Sequence, residues 1–295
     1  MERMLTMDKE AFQKYFLKPL GSDIGQPVPE ELHLGAYNFS STEDFVLRSQ
    51  LDCIQGKNKI FDIKTRATHA IRNCFNLLPE VPRDERHLFF TDYKITQQKG
   101  LWYSFERELY DMIRAAFIKY SAQLRIGRMD GAFVAYHNTR EIFGFQYVGL
   151  DFMDKCIYGS SYMATMYFRR SCQLIARIFD MVLKHAGGDK PVRISMRPTR
   201  NRSLLVQVQE VLSESIVESH VEGEQAIYKR TFSEPKAWWV FVSTKINGED
   251  ISQPWSFTTS DNFEVDFAFE EVDMEWLSTY SKGLIKESTA SWKER

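Results

Sequence analysis

The chain has 295 residues, of which 43% are hydrophobic and 14% aromatic, and a formal net charge of −2. Such a chain buries a sizeable core, as one large domain or two, and is not a disordered protein. The charge balance excludes a globally basic nucleic-acid binder, and no run of about 18 apolar residues offers a transmembrane helix.

Residues 1–17 predict an amphipathic helix, stopped by Pro19-Leu20-Gly21. It reads as the middle of a helix without a cap, neither a signal peptide nor an acid-poor transit peptide, so upstream sequence is expected. Residues 18–32 hold Pro19, Pro27 and Pro29 and read as a loop. After Ser40-Ser41-Thr42, residues 45–54 and 59–65 predict a hairpin across Gly56-Lys57-Asn58. Residues 65–74 could prolong that strand or start a helix. A charged, proline-containing connection follows over 79–98, with a short strand near 87–95. Leu109, Ile113, Phe117 and Tyr120 recur at spacings of three and four and predict a long helix over 101–126. Strands near 131–137 and 142–149 flank the polar turn His137-Asn138-Thr139-Arg140. A second long helix spans about 159–186 and stops at Gly187-Gly188. Strand patterns then appear near 192–197, 204–209, 226–231 and 237–245, followed by the turn signal Asn247-Gly248. A last strand near 263–269 precedes a C-terminal helix. This order predicts an α/β core over 1–150, with a mixed central sheet flanked by helices, and a mixed α/β extension over 151–295.

The most informative segment is Lys59-Ile60-Phe61-Asp62-Ile63-Lys64-Thr65. Alternation along a strand puts Asp62 and Lys64 on one face. If the hairpin forms, Asp52 comes close to Asp62, and two carboxylates converge with one ammonium. Metal-assisted phosphodiester cleavage needs that set: carboxylates hold a hard divalent cation, and a lysine orients water and offsets phosphate charge. A solvated edge strand explains the same spacing about equally well. Acid-x-Lys also occurs at Asp92/Lys94 and Glu234/Lys236, but neither copy has the strand–turn–strand context, and Pro235 disfavours a paired strand. Residues 48–72 carry Arg48, Lys57, Lys59, Lys64, Arg66 and Arg72 against Asp52 and Asp62, a locally basic stretch that fits phosphate binding or a plain solvated surface. The four cysteines match no zinc spacing and point to free thiols in a reducing compartment, and the six histidines show no paired-ligand spacing.

Tyr120 and Gln123 share a face of the 101–126 helix. A helix bearing these two after an acid-x-Lys strand resembles exonuclease-type members of the PD-(D/E)xK nuclease superfamily. Core tyrosine and solvated glutamine are the bland alternative. Three longer stretches carry a closer resemblance. They are Asp44-Phe45-Val46-Leu47-Arg48-Ser49-Gln50-Leu51-Asp52-Cys53, Phe61-Asp62-Ile63-Lys64-Thr65-Arg66-Ala67, and Arg125-Ile126-Gly127-Arg128-Met129-Asp130-Gly131 with Val134-Ala135-Tyr136-His137-Asn138-Thr139. They resemble the fungal mitochondrial RNA 5′-end processing and degradation proteins first known from yeast petite mutants. The resemblance implies a PD-(D/E)xK-like fold and a Mg²⁺- or Mn²⁺-dependent nuclease. It further implies action on mitochondrial transcripts from the 5′ end, in peripheral association with the inner membrane. Asp52 and Asp62 would be metal ligands, aided by the Ile63 carbonyl, and Lys64 the catalytic lysine. Tyr120 and Gln123 match the helix motif, and Glu2 is the candidate for a first-helix glutamate. Family members also have a targeting segment ahead of this point. Arg48, Arg66 and Arg125 are candidate phosphate contacts, with His137 in the same groove. The rival classes are a non-catalytic RNA-binding scaffold and a mitochondrial DNA repair nuclease.

Overall fold

A computed structural model describes residues 7–16, 36–56, 59–74, 92–186, 190–199, 203–218, 227–251 and 256–273. Contacts divide the chain into two units, Met1–Phe168 and Arg169–Arg295. Glu2, the proline loop, most of the charged connection, Gly187-Gly188 and the C-terminal helix lie outside the described residues.

In the first unit, helix α1 (Lys9–Phe16) does have a cap: Asp8 Oδ2 accepts the N–H groups of Glu10 at 3.1 Å and Ala11 at 3.2 Å. Strand β1 (Ala36–Ser41), which the sequence did not reveal, pairs antiparallel with β2 (Val46–Leu51). The expected hairpin is therefore cut short. With β2 committed to β1, only β3 (Cys53–Gln55) pairs with β4 (Lys59–Ala67), from Cys53↔Phe61 to Gln55↔Lys59. Strand β4 then pairs parallel with β5 (Gly131–His137), and β5 antiparallel with β6 (Ile142–Gly149), giving a mixed sheet in the order β3-β4-β5-β6. Past Ala67 the chain turns into α2 (His69–Cys74), so residues 65–74 first prolong the strand and then start a helix.

The single helix expected over 101–126 is two, α3 (Phe105–Ala115) and α4 (Phe117–Gly127). Ser104 Oγ accepts the Arg107 N–H and fixes the start of α3, leaving 101–103 as loop. The break is at Ala116, with φ −126° and ψ −27°. The Ala116 N–H still donates to Met112 O at 2.8 Å, and the Tyr120 N–H to Ala116 O at 3.0 Å. The three-and-four spacing thus runs across the kink, which is why the sequence shows no break there. Of the strand expected near 87–95, residues 92–95 are described and are not strand. A further helix, α5 (Leu150–Tyr158), ends at Gly159, whose φ of +84° suits glycine, before α6 (Ser161–His185).

Helices α3, α4 and α5 bury Met112, Phe117, Leu124 and Met153 with Ala132, Val134, Tyr136 and Val148 of the sheet. Full burial of one such large side chain stabilises by about 1.5–3 kcal/mol. Tyr136 is wholly buried yet satisfied, its hydroxyl donating to Gln146 Oε1 at 2.7 Å.

In the second unit, Ile178, Met181 and Val182 of α6 form a core with Val206, Val208, Trp238 and Val240. These come from an antiparallel sheet of β7 (Val192–Pro198), β8 (Ser203–Glu218), β9 (Ile227–Phe232), β10 (Lys236–Ile246), β11 (Glu249–Asp250) and β12 (Phe263–Glu271). Asn247 and Gly248, at φ 53° and 85°, join β10 to β11 as the two-residue turn that the sequence signalled. The architecture is mixed α/β, and no described helix is long and apolar enough to cross a membrane.

Gly131 is required where β4, β5 and β6 meet. A Cβ there would stand 2.7 Å from the Val148 carbonyl oxygen and 2.7 Å from the Tyr147 ring. Gly131→Ala should destabilise the protein by roughly 1–3 kcal/mol, the scale of overpacking. Denaturant unfolding should show a lower midpoint at unchanged m-value; an unchanged midpoint would refute the close approach.

Candidate active site

Asp62, Lys64 and Arg66 alternate along β4 onto one face. Asp52 is the residue between β2 and β3, where the chain leaves one sheet for the other. Its Oδ2 accepts the Ile63 N–H at 2.9 Å. One step beyond the β3–β4 register, Asp52 falls opposite Asp62, and the two carboxyl groups are in hydrogen-bonding contact. Asp62 is 1% exposed, and Lys64 Nζ stands 2.5 Å from its Oδ2. That is a charge contact, since Asp62 Oδ2 receives no well-directed hydrogen bond. Lys64 Nζ lies 5.5 Å from the Tyr120 ring centroid, so α4 supplies an aromatic wall to the lysine.

Burial first, and then the hydrogen bond with Asp52, push the Asp62 carboxyl up to about 6, against the pull of Lys64. Burial and the Asp52 charge also raise the Cys53 thiol. Arg66 is 7% exposed, and its Nε and Nη2 have no hydrogen-bond partner. Burial and the neighbouring Arg72 lower its pKa, while Tyr120, Glu108 and Tyr136 act the other way. One strand face thus presents a buried acid, a lysine and a buried guanidinium in sequence.

Other residues singled out by the sequence are placed less centrally. Gln123 is half-buried, on the α4 stripe between Tyr120 and Gly127. The end of that stripe is tied to β1, with Asn38 Nδ2 donating to Gly127 O and Ser40 Oγ to Ile126 O. Arg48 is exposed on β2, 4.7 Å from the Tyr37 ring centroid. Arg125 is committed elsewhere: it holds both oxygens of the buried Asp154, at 2.9 and 2.7 Å, and so joins α4 to α5. His137 follows Tyr136 onto the face opposite Arg66, at the end of β5, with Nδ1 on the Asn138 carbonyl at 2.8 Å. Glu2 lies outside the described residues.

Among the described residues no three His, Cys, Asp or Glu side chains gather as a metal cluster. The donors on offer are the touching Asp52 and Asp62 carboxylates and the Ile63 carbonyl. That set fits a magnesium-like ion, which keeps several waters and takes only one or two carboxylates.

A polar network beside the site was not read from the sequence. Glu108, fully buried, accepts the His69 N–H and Arg72 Nη2, both at 2.6 Å. Asp111, one turn on, meets His69 Nδ1 at 2.9 Å, Arg72 Nη2 at 3.3 Å and Arg107 Nε at 3.3 Å. Burial alone would raise the Asp111 carboxyl, but these three partners hold it below its ordinary value. The spacing of Glu108 and Asp111 signals a shared helix face; their partners about forty residues upstream leave no local trace.

The family model for mitochondrial protein Pet127 matches residues 1–180. The chain is 39% identical over 181 residues to the mitochondrial mRNA degradation protein pet127 of Schizosaccharomyces pombe, covering 60% of this chain and 32% of that protein. It is 44% identical over 127 residues to the putative mitochondrial translation system component PET127 of Saccharomyces cerevisiae, covering 42% of this chain and 15% of that one. The chain therefore spans a third or less of either relative. No solved structure matches it.

The Asp62 environment sets a pH dependence of known sign. Its carboxyl titrates near 6 when folded, against 3.8 ordinarily, so between those values the folded state binds more protons than the unfolded one. Stability should fall as pH rises from about 4 to about 6 and then level off for this group. In metal-free buffer, Asp62→Asn should flatten that decline; an equally steep decline in the variant would assign it to another group.

Proposed function

The chain belongs to the Pet127 family of mitochondrial proteins, and on that footing we propose that it is a divalent-metal-dependent phosphodiesterase acting on mitochondrial RNA. In this reading the first unit is a PD-(D/E)xK nuclease core that degrades transcripts and trims them from the 5′ end, peripherally associated with the inner membrane. The name of the fission-yeast relative, an mRNA degradation protein, supports the RNA part. The observation that carries the chemistry is the placing of Asp52 opposite the buried Asp62, with Lys64 2.5 Å from the second acid. A buried carboxyl facing a second carboxyl costs stability unless a cation or a proton neutralises it, and such arrangements cluster at working sites.

Asp52, Asp62 and the Ile63 carbonyl would hold Mg²⁺ or Mn²⁺, which supplies Lewis-acid polarisation of the phosphate and a water of lowered pKa. Lys64 positions the attacking water and offsets charge developing on the phosphoryl oxygens. Tyr120, its ring centroid 5.5 Å from Lys64 Nζ, helps keep the ammonium in place. Arg66, two residues along the same face, offers its unpartnered Nε and Nη2 to a phosphate oxygen.

The test is cleavage of labelled single-stranded RNA with Mg²⁺ or Mn²⁺ at fixed salt. Wild type should cut and EDTA should stop it. Asp62→Asn should lose cleavage by roughly 10²-fold or more, the scale of losing one electrostatic stabiliser, and should keep RNA binding. Lys64→Ala should lose both turnover and part of the binding, because a phosphate-facing charge is deleted. Cleavage in EDTA, or full activity of Asp62→Asn, sinks the mechanism. A folded protein that binds RNA and never cuts it is a non-catalytic RNA-binding scaffold.

A further inference from the structure

We propose that the loop over residues 96–103 is a base-stacking platform for single-stranded nucleic acid, built on Trp102 and Tyr103. It rests on the RNA reading above and adds how the site receives its strand.

Three large apolar side chains stand in water on this loop: Leu101 is 78% exposed, Trp102 51% and Tyr103 49%. They are held there rather than left loose. The N–H groups of Thr96 and Gln97 both donate to Tyr103 O, and Gln97 Nε2 donates to Trp102 O at 3.0 Å. Ser104 Oγ donates to Gly100 O, the Gly100 N–H donates to Glu106, and the Tyr103 N–H donates to the Tyr93 hydroxyl. Tyr103 itself sits at φ 55°, a left-handed conformation that a bulky residue adopts at a cost. A loop that accepts strain and spends this many hydrogen bonds to present rings outward is ordered for contact.

The surroundings say with what. The Arg107 guanidinium lies 4.9 Å from the Trp102 ring centroid, and the His69 ring packs on its edge at 5.5 Å. Tyr93 stacks on Tyr103 at 4.6 Å and steadies it. Lys99, Gln97 and Gln98 rim the loop, all exposed. Two acids of α3 are already engaged, Glu106 by Gly100 and Asp111 by His69, Arg72 and Arg107. Open aromatic faces rimmed by cations and amides match bases on a charged backbone better than an apolar protein partner. The position matches too. His69, against Trp102, is five residues beyond Lys64, so the two backbones are no more than about 17 Å apart at strand rise. Arg66 lies on the way.

The experiment is binding of a labelled single-stranded RNA of about ten nucleotides to the 295-residue chain, in EDTA and at fixed salt, by fluorescence anisotropy. Trp102→Leu, which keeps apolar bulk and removes the π face, should weaken binding roughly 5- to 150-fold. Trp102→Phe should stay within a few-fold of wild type. An abasic oligomer should bind wild type as weakly as normal RNA binds Trp102→Leu. RNA should also quench a tryptophan emission component that Trp102→Phe lacks. Equal binding by Trp102→Leu with native circular dichroism, or equal binding of the abasic oligomer, overturns the platform and leaves the loop to a protein partner. Those results do not touch the hydrolysis reading, which fails on its own if Mg²⁺ never supports cleavage. A wild type that binds no RNA overturns both.

Discussion

A parallel strand pair cannot be closed by a tight turn; the chain must cross over the sheet and return, and the crossing covers a face. Between β4 and β5 the crossover carries α3 and α4, and the face it covers is the one bearing Asp62, Lys64 and Arg66. Had these strands met in a hairpin, the same three residues would stand in water with ordinary properties. The crossover makes them a buried acid, a lysine under a ring and an unpartnered guanidinium. Asp130 fixes where it closes. Its N–H donates to Ile60 O at 2.8 Å, its carboxylate accepts the Ile60 N–H at 2.9 Å, and its carbonyl accepts the Leu150 N–H at 3.0 Å. One residue thereby registers the starts of β4, β5 and α5.

The first unit buries several charges, and they divide by how well they are satisfied. Glu108 has a cation and a backbone N–H, and Asp154 has a two-pronged arginine and the Ser121 hydroxyl. Both are structural in kind: removing a partner would strand a buried charge at several kcal/mol. Asp62 and Arg66 are different. One shares space with a second carboxyl group, and the other keeps two buried nitrogens unpaired. One strand face thus carries a buried carboxyl beside a second one and a buried guanidinium with two nitrogens free of hydrogen bonds. In the neighbouring network Arg107 Nε also lacks a hydrogen bond but meets Asp111 at 3.3 Å, whereas Arg66 has no such acid against it among the described residues.

Much of the fold was legible in local pattern. Alternation gave β5, β6 and most of the second-unit strands, and three-and-four spacing gave the crossover helices and α6. What escaped depends on distant partners. Residues 36–41 carry no predicted element, because Ser40-Ser41-Thr42 looks like the lead-in to a strand, yet β2 pairs with them and Ser40 Oγ finds Ile126 O across the unit. The kink at Ala116 escaped because backbone bonding continues through it. Arg125 looked like a free cation because its partner, Asp154, sits 29 residues on in a helix that the sequence did not show. For the site, Asp62 and Lys64 follow from alternation, whereas the burial that alters them comes wholly from the crossover.

Asp52 reaches the site by a route that strand periodicity argues against. Along β2 the exposed residues are Val46, Arg48 and Gln50, so regular continuation would turn Asp52 outward with them. The chain instead leaves the β1 pairing at Leu51 and begins the β4 pairing at Cys53, with Asp52 unpaired between the two. Freed from the pleat, its carboxylate takes the Ile63 N–H, a group on the edge of β4 that a continued ladder would have claimed. The short β3–β4 hairpin sets Asp52 opposite Asp62, and the break after Leu51 frees its carboxylate for the Ile63 N–H. The hairpin spacing alone places Asp52 beside Asp62; what it does not show is the change of sheet at that residue, a local break in strand regularity of the kind that goes with special sites.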